Sequence, residues 1–303
     1  MARRSWAWLL LLGVSACPAY AGQGGLVLLR MTPGARMAAM AGAGVAAAGD
    51  AASVLANPAA LGALRGSQVY LGHNEWLQGI DHDLLATTLV TRKQAWAVSM
   101  GHLAVGDIEL RTMPTAEPLA VVSAHEVVIA LSYARRWHER LCLGVTGKYL
   151  YDKIHLDTVG GVAVDVGGLY QTGWSGVTCA VAVRNLGSTG RLREARLALP
   201  YQVQAGVAWT VSIAPWQSQL AVLSDLLLER GESARLLLGT EGVLHGMVAL
   251  RLGYAFGYHS RGLSAGLGLR SGRYSVHYSY TPFQDQLGTA QQVALSVRLN
   301  ETK

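Results

Sequence analysis

Side chains that could ligate a cation or carry out catalysis are few and dispersed in this 303-residue chain. One predicted turn is flanked by five side chains that could bind a cation, namely His73, Glu75, Asp81, His82 and Asp83. The same residue types are usual in a solvated loop, which is the interpretation we favour here. The His-Glu-x-x-His pair of zinc proteases is absent from the sequence. These residues predict neither an enzyme nor a cofactor.

A second set of charged residues is more regular. Its members occur singly among the small and polar residues on one side of an alternating pattern, whose other side is apolar. If the opposite, apolar side meets lipid, these charges point into an enclosed space. Each must then be hydrated or paired, because isolated burial of a charge is very costly. We expect them either to form a structural network that holds another part of the chain or to line a polar path or ligand site. The set consists of Glu126, Lys148, Asp165, Arg184, Asp225, Arg235, Glu241, Arg251, Arg270 and Arg298.

From Ser67 onward, apolar and polar residues alternate with a period of two, which is the pattern of β-strands. Leu131 lies on the apolar side of one such segment and Ser132 on its polar side. About 14 segments of about ten residues can be counted, the length that a tilted strand needs to cross a membrane. Short connections alternate with longer ones, notably residues 105–122 and 187–199, as periplasmic turns alternate with extracellular loops in membrane barrels.

Tryptophan and tyrosine residues sort to opposite ends of the predicted strands. Two aromatic girdles are typical of the two interfaces of a membrane. A soluble β-sandwich or closed barrel would show the same alternation, but it has no reason to sort aromatic residues in this way. The tryptophans near the short turns are Trp96, Trp137, Trp174, Trp209 and Trp216, and the tyrosines near the other strand ends are Tyr149, Tyr151, Tyr254, Tyr278 and Tyr280.

The first 21 residues have the features of a secretory signal peptide. Arg3 and Arg4 precede an apolar run over residues 6–14, and residues 19–21 (Ala-Tyr-Ala) form a small-residue cleavage site. Residues 14–17 also resemble a lipoprotein cleavage box, which would make Cys17 a lipidated residue. No later stretch has the roughly 18 apolar residues of a transmembrane helix, so a soluble β fold or a membrane barrel remains.

Residues 35–64 differ from the rest of the chain, because they are rich in Ala and Gly, nearly uncharged and without alternation. Asp50 can cap a short helix over residues 51–55, which must end before Asn57 because Pro58 restricts the residue that precedes it. Asn57 can then cap a second short helix that begins with Pro58 and Ala59 and ends near residue 64. Such small side chains would pack in a narrow space, although an ordinary Ala-rich helix on a soluble core is an alternative.

The same stretch carries three motifs, Met-Ala-Gly-Ala-Gly at residues 40–44, Ala-Gly-Asp at 48–50 and Ala-Asn-Pro-Ala-Ala-Leu at 56–61. Together with segments at residues 73–76, 80–83, 131–134, 147–148, 165–167 and 184–187, they resemble the PorV/PorQ family of outer-membrane proteins. That family is similar to FadL-type barrels, and the resemblance implies that the Asn-Pro-Ala turn sits inside the barrel as a hatch. It implies either a component of a protein secretion and surface-attachment pathway or a channel for small hydrophobic molecules.

Together these features predict an all-β fold, namely a transmembrane antiparallel β-barrel of about 14 strands in the outer membrane, with an N-terminal helical plug in its lumen. We expect a signal peptide over residues 1–21, the plug over 22–66 and the barrel over 67–303. The expected partners are outer-membrane lipid and either secretion-pathway proteins or a small hydrophobic ligand. The net charge of +6 is mild and dispersed, so nucleic acid is not expected. A soluble exported β-sandwich is the remaining alternative.

Overall fold

Fourteen antiparallel strands close into one barrel in the computed structural model, which describes residues 26–111, 113, 117–192 and 195–300. Each strand pairs with its neighbour in sequence, and the last pairs with the first, from Gln68 opposite Arg298 to Glu75 opposite Gln291. The predicted signal peptide and Cys17 lie outside the described residues. A closed barrel leaves no unpaired sheet edge, so the strands satisfy their backbone groups without water.

Short turns connect the strands at one end of the barrel, and the connections at the other end are mostly longer, apart from a two-residue turn at residues 155–156. Both ends of the strand region lie at the end with the short turns. The strands are β1 (Gln68–Glu75), β2 (Ile80–Val90), β3 (Gln94–Leu110), β4 (Ala120–His138), β5 (Leu141–Ile154), β6 (Asp157–Gln171), β7 (Val177–Thr189), β8 (Gln202–Ile213), β9 (Ser218–Glu229), β10 (Arg235–Leu244), β11 (Val248–Phe256), β12 (Leu263–Ser271), β13 (Tyr274–Pro282) and β14 (Thr289–Arg298).

The largest departure from the predicted bounds is in the segment 105–122, which we had interpreted as a loop. There β3 and β4 extend to 17 and 19 residues by continuing their pairing beyond an irregularity between Val105 and Ile108. Asp107 has a positive φ of 53° at this bulge, and regular pairing resumes from Ile108 opposite Val122. A bulge inserts an extra residue and interrupts the alternation, which concealed the continuing strands in the sequence.

The alternation sorts side chains as predicted, with apolar residues on the outer wall and small or polar residues inside. Leu131 is 54% exposed on the outer surface, whereas Ser132 is 1% exposed and hydrogen-bonds Thr146 inside. A soluble barrel would place its apolar side chains in the interior, so that alternative is wrong. No described helix is long and apolar enough to cross a membrane.

The aromatic residues lie where the two proposed girdles require them. All five tryptophans are exposed and lie in or next to the short turns. Tyr149, Tyr254, Tyr278 and Tyr280 are exposed toward the opposite strand ends, and Tyr151 is half-buried there.

The lumen holds the N-terminal segment, which forms short helical pieces rather than one continuous helix. These are 3₁₀ turns at Val27–Arg30, Ala51–Leu55 and Pro58–Ala63 and one α-helix, α1, at Ala35–Ala39. The Asp50 carboxylate accepts a hydrogen bond from the Ser53 amide at 3.2 Å, which confirms the first predicted cap.

The apolar core of the protein lies between this segment and the inner wall. Met40 packs with Leu223 and Leu237 on one side of the lumen, and Leu28 packs with Leu103 on the other. We call residues 26–66 the plug. Its packing depends on small side chains, because most of its core residues are alanines in contact with the wall.

Candidate functional site: the plug and the lumen around it

The turn at Asn57 joins two parts of the plug to the barrel wall. The Asn57 side chain accepts a hydrogen bond from the Ala59 amide at 3.0 Å, which confirms the second predicted cap. Its Nδ2 donates to the carbonyl of Val45 at 2.9 Å and to that of Gly168 on β6 at 3.4 Å. The buried side-chain amide of Asn57 therefore caps the second short helix and also hydrogen-bonds both an earlier loop of the plug and the barrel wall.

Glycines in the wall make room for the plug backbone at its closest approaches. A β-carbon at Gly144 on β5 would overlap the backbone of Pro58, and one at Gly167 on β6 would overlap Asn57. On the opposite side, a β-carbon at Gly253 would overlap the backbone of Met40. These glycines were not identified from the sequence, because the close approach that requires them is made by residues far away in the chain.

Asp225 on β9 anchors the loop that follows α1. Its carboxylate accepts hydrogen bonds from the amides of Gly44 and Val45 at 2.7 and 2.9 Å. Gln204 on β8 supports the same carboxylate at 2.8 Å and also donates to the carbonyl of Gly42 at 3.1 Å. Successive amides of an irregular segment form a cradle for an anion, and here the wall supplies that anion.

Glu126 on β4 anchors the first described residues in a similar way. Its two carboxylate oxygens accept from the amides of Val27 and Leu28 at 3.0 and 2.8 Å. Arg30 adds an ion pair with Glu229 at 3.1 Å, which involves a half-exposed guanidinium. The start of the plug is therefore held at the end of the barrel that carries the longer connections.

A buried group of two arginines and a glutamate ties α1 to the wall. Arg36 makes a bidentate pair with Glu241 on β10 at 2.8 and 2.7 Å, and Arg251 on β11 approaches the same carboxylate at 2.6 Å. Burial acts to lower the pKa of Arg36, but the charge and hydrogen bonds of Glu241, together with the charge of Asp50, raise it above its ordinary value. Arg36 thus stays charged inside the lumen.

Arg36 was missed among the predicted site residues, although the sequence contained a signal. It and Asp50 are the only charged residues in the otherwise apolar stretch 35–64. A charge retained in a segment that packs so tightly must meet an opposite charge. Its partner, Glu241, lies 205 residues further along the chain and could not be identified by spacing.

Other inward charges stabilise the wall rather than contact the plug directly. Lys148 pairs with Asp165 at 2.6 Å and donates to the side chain of Asn185 at 2.9 Å. Asp165 also accepts from the Asn185 amide at 2.8 Å, and Arg184 donates to Gln204 at 2.8 Å. This network spans β5 to β8 and fills a place where the β6–β7 register shifts.

The late-strand arginines divide into two roles. Arg251 reaches the plug through Glu241, whereas Arg270 donates to Ser275 on the neighbouring strand at 3.3 Å. Arg270 and Arg298 both line a cavity on the side of the plug that faces the short turns.

The plug divides the space inside the barrel unequally. A cavity of about 60 Å³ lies near the start of the plug, between Leu28, Leu84 and Val128 on one side and Lys148 and Arg184 on the other. A cavity of about 880 Å³ lies on the side of the short turns and is lined mainly by polar groups. The side of the lumen near the longer connections is therefore largely filled.

The residues around the first predicted turn do not converge on a cation. His73 and Asp83 contact each other at 2.8 Å on the outer surface, whereas the neighbouring His82 is buried in the lumen. The strand alternation separates them, so the interpretation of the five as one group is wrong. No group of three or more His, Cys, Asp or Glu among the described residues is arranged to hold a metal ion.

One hydrolase-like spacing does occur in the sequence, Gly-Leu-Ser-Ala-Gly at residues 262–266. A nucleophile of that type sits on a sharp turn from a strand to a helix. Here Ser264 lies within β12, is 2% exposed and shares a hydrogen bond with Thr281 at 3.0 Å. The spacing therefore has a structural explanation in the wall.

Comparison with known proteins identifies both a family and a fold. The family model described as type IX secretion system protein PorV matches residues 23–187. No protein with a curated description matches the chain in sequence.

Solved structures give the fold. The toluene transporter TbuX of Ralstonia pickettii is 13% identical, with 88% of this chain and 98% of that chain covered and a TM-score of 0.60. The toluene transporter TodX of P. putida is 10% identical over 88% and 99% of the two chains, with a TM-score of 0.58. A FadL homologue of Pseudomonas aeruginosa is 11% identical over 88% and 98%, with a TM-score of 0.52. At these identities the likeness establishes the FadL-like barrel alone.

Proposed function

Because the chain belongs to the PorV family of outer-membrane barrels, we propose that it acts as a non-enzymatic component of a type IX-like pathway for protein secretion and surface attachment. The match over residues 23–187, more than half of the chain, is the observation that carries this proposal. The function is that of a scaffold in the outer membrane that binds proteins of the pathway.

The filled lumen supports a scaffold over a channel. Glu126, Asp225 and Glu241 each hold a different part of the plug, so the plug is attached on several sides. The cavity near the longer connections measures about 60 Å³, well below the roughly 300–1,000 Å³ of ordinary ligand pockets. A hydrophobic molecule would have to displace buried, hydrogen-bonded chain to pass.

A protruding part of the wall offers a surface for protein partners. The pairing of β3 with β2 stops at Val105 opposite Ile80, and the pairing of β4 with β5 stops at Ala124 opposite Ile154. Residues 105–110 and 119–124 continue beyond these pairs, and we call them the β3–β4 extension.

The β3–β4 extension carries exposed apolar side chains in the part that extends beyond its pairing with β2 and β5. Leu119 and Val121 are 65% and 58% exposed, and Leu156 in the adjacent β5–β6 turn is 82% exposed. Apolar side chains exposed together outside the lipid mark a site of protein contact. We propose that this surface binds a partner of the secretion pathway.

The test compares membranes that contain the native chain with membranes that contain Val121→Glu together with Leu156→Glu. After mild detergent extraction, the native chain should co-purify with other outer-membrane proteins, and the variant should lose them. Leu299→Glu, an exposed apolar residue at the opposite end, is the matched control and should retain them. Proteins normally found outside the cell should accumulate in the periplasm when the gene is deleted. Unchanged export after deletion would refute the proposal.

A second function, uptake of small hydrophobic molecules, is favoured by the apolar residues around the smaller cavity. Leu28, Met31, Leu84 and Val128 supply part of its lining. If the chain acts in this way, the purified protein should retain an organic molecule in native mass spectrometry. Deletion of the gene should then slow uptake of an aromatic hydrocarbon while protein export continues.

A further inference from the structure

A large charged cavity lies below the plug, at the end of the barrel with the short turns. Its volume is about 880 Å³, and the plug residues Gly49 and Asp50 form part of its lining. Arg92 and Arg273 lie in short turns around it. We call this space the arginine vestibule. Since short turns face the periplasm in barrels of this kind, the vestibule opens toward the periplasm.

Positive charge dominates the lining of the vestibule. Among its described lining residues, Asp50 and Glu241 are the only acidic side chains. They lie beside Arg36 and Arg251, whose charges they offset. The described arginines of the lining are Arg36, Arg65, Arg92, Arg136, Arg251, Arg270, Arg273 and Arg298.

Two buried residues that line this space have side-chain hydrogen-bonding atoms without a partner. Arg251 is 4% exposed and its Nη1 has no hydrogen-bond partner among the described residues. The same holds for Nδ1 of His277, which is 7% exposed on β13. A buried polar atom without a partner is costly, so two of them beside one cavity need an explanation.

Small residues on the facing strands keep the vestibule open beside these atoms. Three small residues line the vestibule near Arg251 and His277, namely Gly268, Ser275 and Ser296. Any β-carbon at Gly268 would crowd the Arg251 guanidinium at 2.8 Å. The wall therefore presents guanidinium groups around a space that a ligand can occupy.

We propose that the arginine vestibule binds a small soluble oxyanion of the periplasm that carries two or more negative charges, such as a phosphate compound or a polycarboxylate. Guanidinium groups match phosphate and carboxylate oxygens with paired hydrogen bonds, and several of them select for multiple charge. The volume falls within the range of small-molecule sites, roughly 300–1,000 Å³. The closed wall separates the vestibule from lipid, so the ligand enters from the aqueous side. This site is independent of the proposed secretion role.

The experiment measures binding to the detergent-purified full chain by titration calorimetry and by the shift in thermal unfolding. The probes are inorganic phosphate, pyrophosphate, citrate and acetate at an ionic strength of about 0.15 M, where exposed charges are screened. Pyrophosphate or citrate should bind at a saturable single site and raise the unfolding temperature. Acetate, which carries one charge, should not bind.

Variants locate the site. Arg270→Gln removes a charge from the wall of the vestibule and Arg65→Gln removes one from the end of the plug, and each should weaken binding about tenfold or more. Arg140→Gln is the matched control, because this exposed arginine lies in another short turn at the same end. Its affinity should equal that of the native chain, and heat-modifiable migration on gels should show that all variants are folded.

Three results would overturn the proposal. The first is the absence of saturable binding of phosphate, pyrophosphate and citrate to the native chain. The second is an equal loss of affinity in Arg140→Gln and Arg270→Gln, which would indicate diffuse charge attraction. The third is binding of an acidic peptide by a chain that binds none of the small anions, which would make the vestibule a docking site for a protein.

Discussion

Replacing Glu241 by Gln should release the part of the plug that contains α1. The carboxylate of Glu241 holds Arg36 of the plug by two hydrogen bonds and Arg251 of the wall by a third. Gln keeps the size of the side chain but loses its charge. Two buried guanidinium groups would then lie together without the anion that separates them.

The size of the effect follows from the burial of the three side chains. Their exposed fractions are 15% for Arg36, 10% for Glu241 and 3% for Arg251. Removal of one partner from a buried ion pair costs about 3–5 kcal/mol, because the other charge is left uncompensated. The population of the open plug should rise by roughly a hundredfold to several thousandfold.

Hydrogen exchange on the detergent-solubilised chain measures this opening directly. Amides of residues 35–47 should exchange faster in Glu241→Gln, while the strands keep their protection because their hydrogen bonds close without the plug. Glu109→Gln is the matched control, because its pair with Arg111 is exposed and such pairs contribute about 0–1 kcal/mol. A second substitution, Arg36→Met, should recover part of the protection by removing one orphaned cation.

Equal exchange in Glu241→Gln and Glu109→Gln would show that the triad does not hold the plug. Faster exchange across the strands as well would show that plug and barrel unfold together. In either case the separation of a releasable plug from a self-sufficient wall would be wrong.

Three other perturbations test the turn, its seat and the outer wall. Replacement of Asn57 and Pro58 by Ala should produce channel openings in planar bilayers, where the native chain should be nearly silent; equal silence with unchanged protease sensitivity of the plug would contradict this. Gly144→Leu should increase protease cleavage in the plug because its side chain would overlap the Pro58 backbone, whereas Gly147→Leu, which has open space around it, should not. Leu131→Arg should lower the free energy of unfolding in lipid vesicles by roughly 2–4 kcal/mol if it lies at the midplane, and an effect near zero would mean that this face does not meet lipid.

The filled lumen also determines how an arginine at Ser132 would be tolerated. An arginine at Ser132 should be tolerated better than one at Leu131 only if the lumen has room. Ser132 is 1% exposed and bonded to Thr146, so no such room exists. Both substitutions should destabilise the barrel, for different reasons: loss of lipid contact at Leu131 and overpacking at Ser132.

Local patterns in the sequence determined the wall and the shape of the plug. Side chains of a strand alternate between two faces, so the order of residues such as Leu131 and Ser132 assigns each to lipid or lumen without knowledge of the neighbours. The caps at Asp50 and Asn57 were equally predictable, because a cap bonds to an amide two or three residues away. The pattern failed to predict the continuing strands where a bulge interrupted it, at Asp107.

Only the tertiary structure decided which groups meet across the lumen. Closure of the barrel and the register of its strands bring Glu241 to Arg36 and Gly144 to Pro58, although these residues are far apart in the chain. The sequence identified inward charges as a class but could not pair them. The alternation along a strand shows which face a side chain lies on, but it gives neither the height of that side chain in the barrel nor its position around the barrel. The arginine vestibule has the same origin: its arginines come from the plug, from short turns and from several strands, and they meet because a closed sheet places those strand ends around one opening.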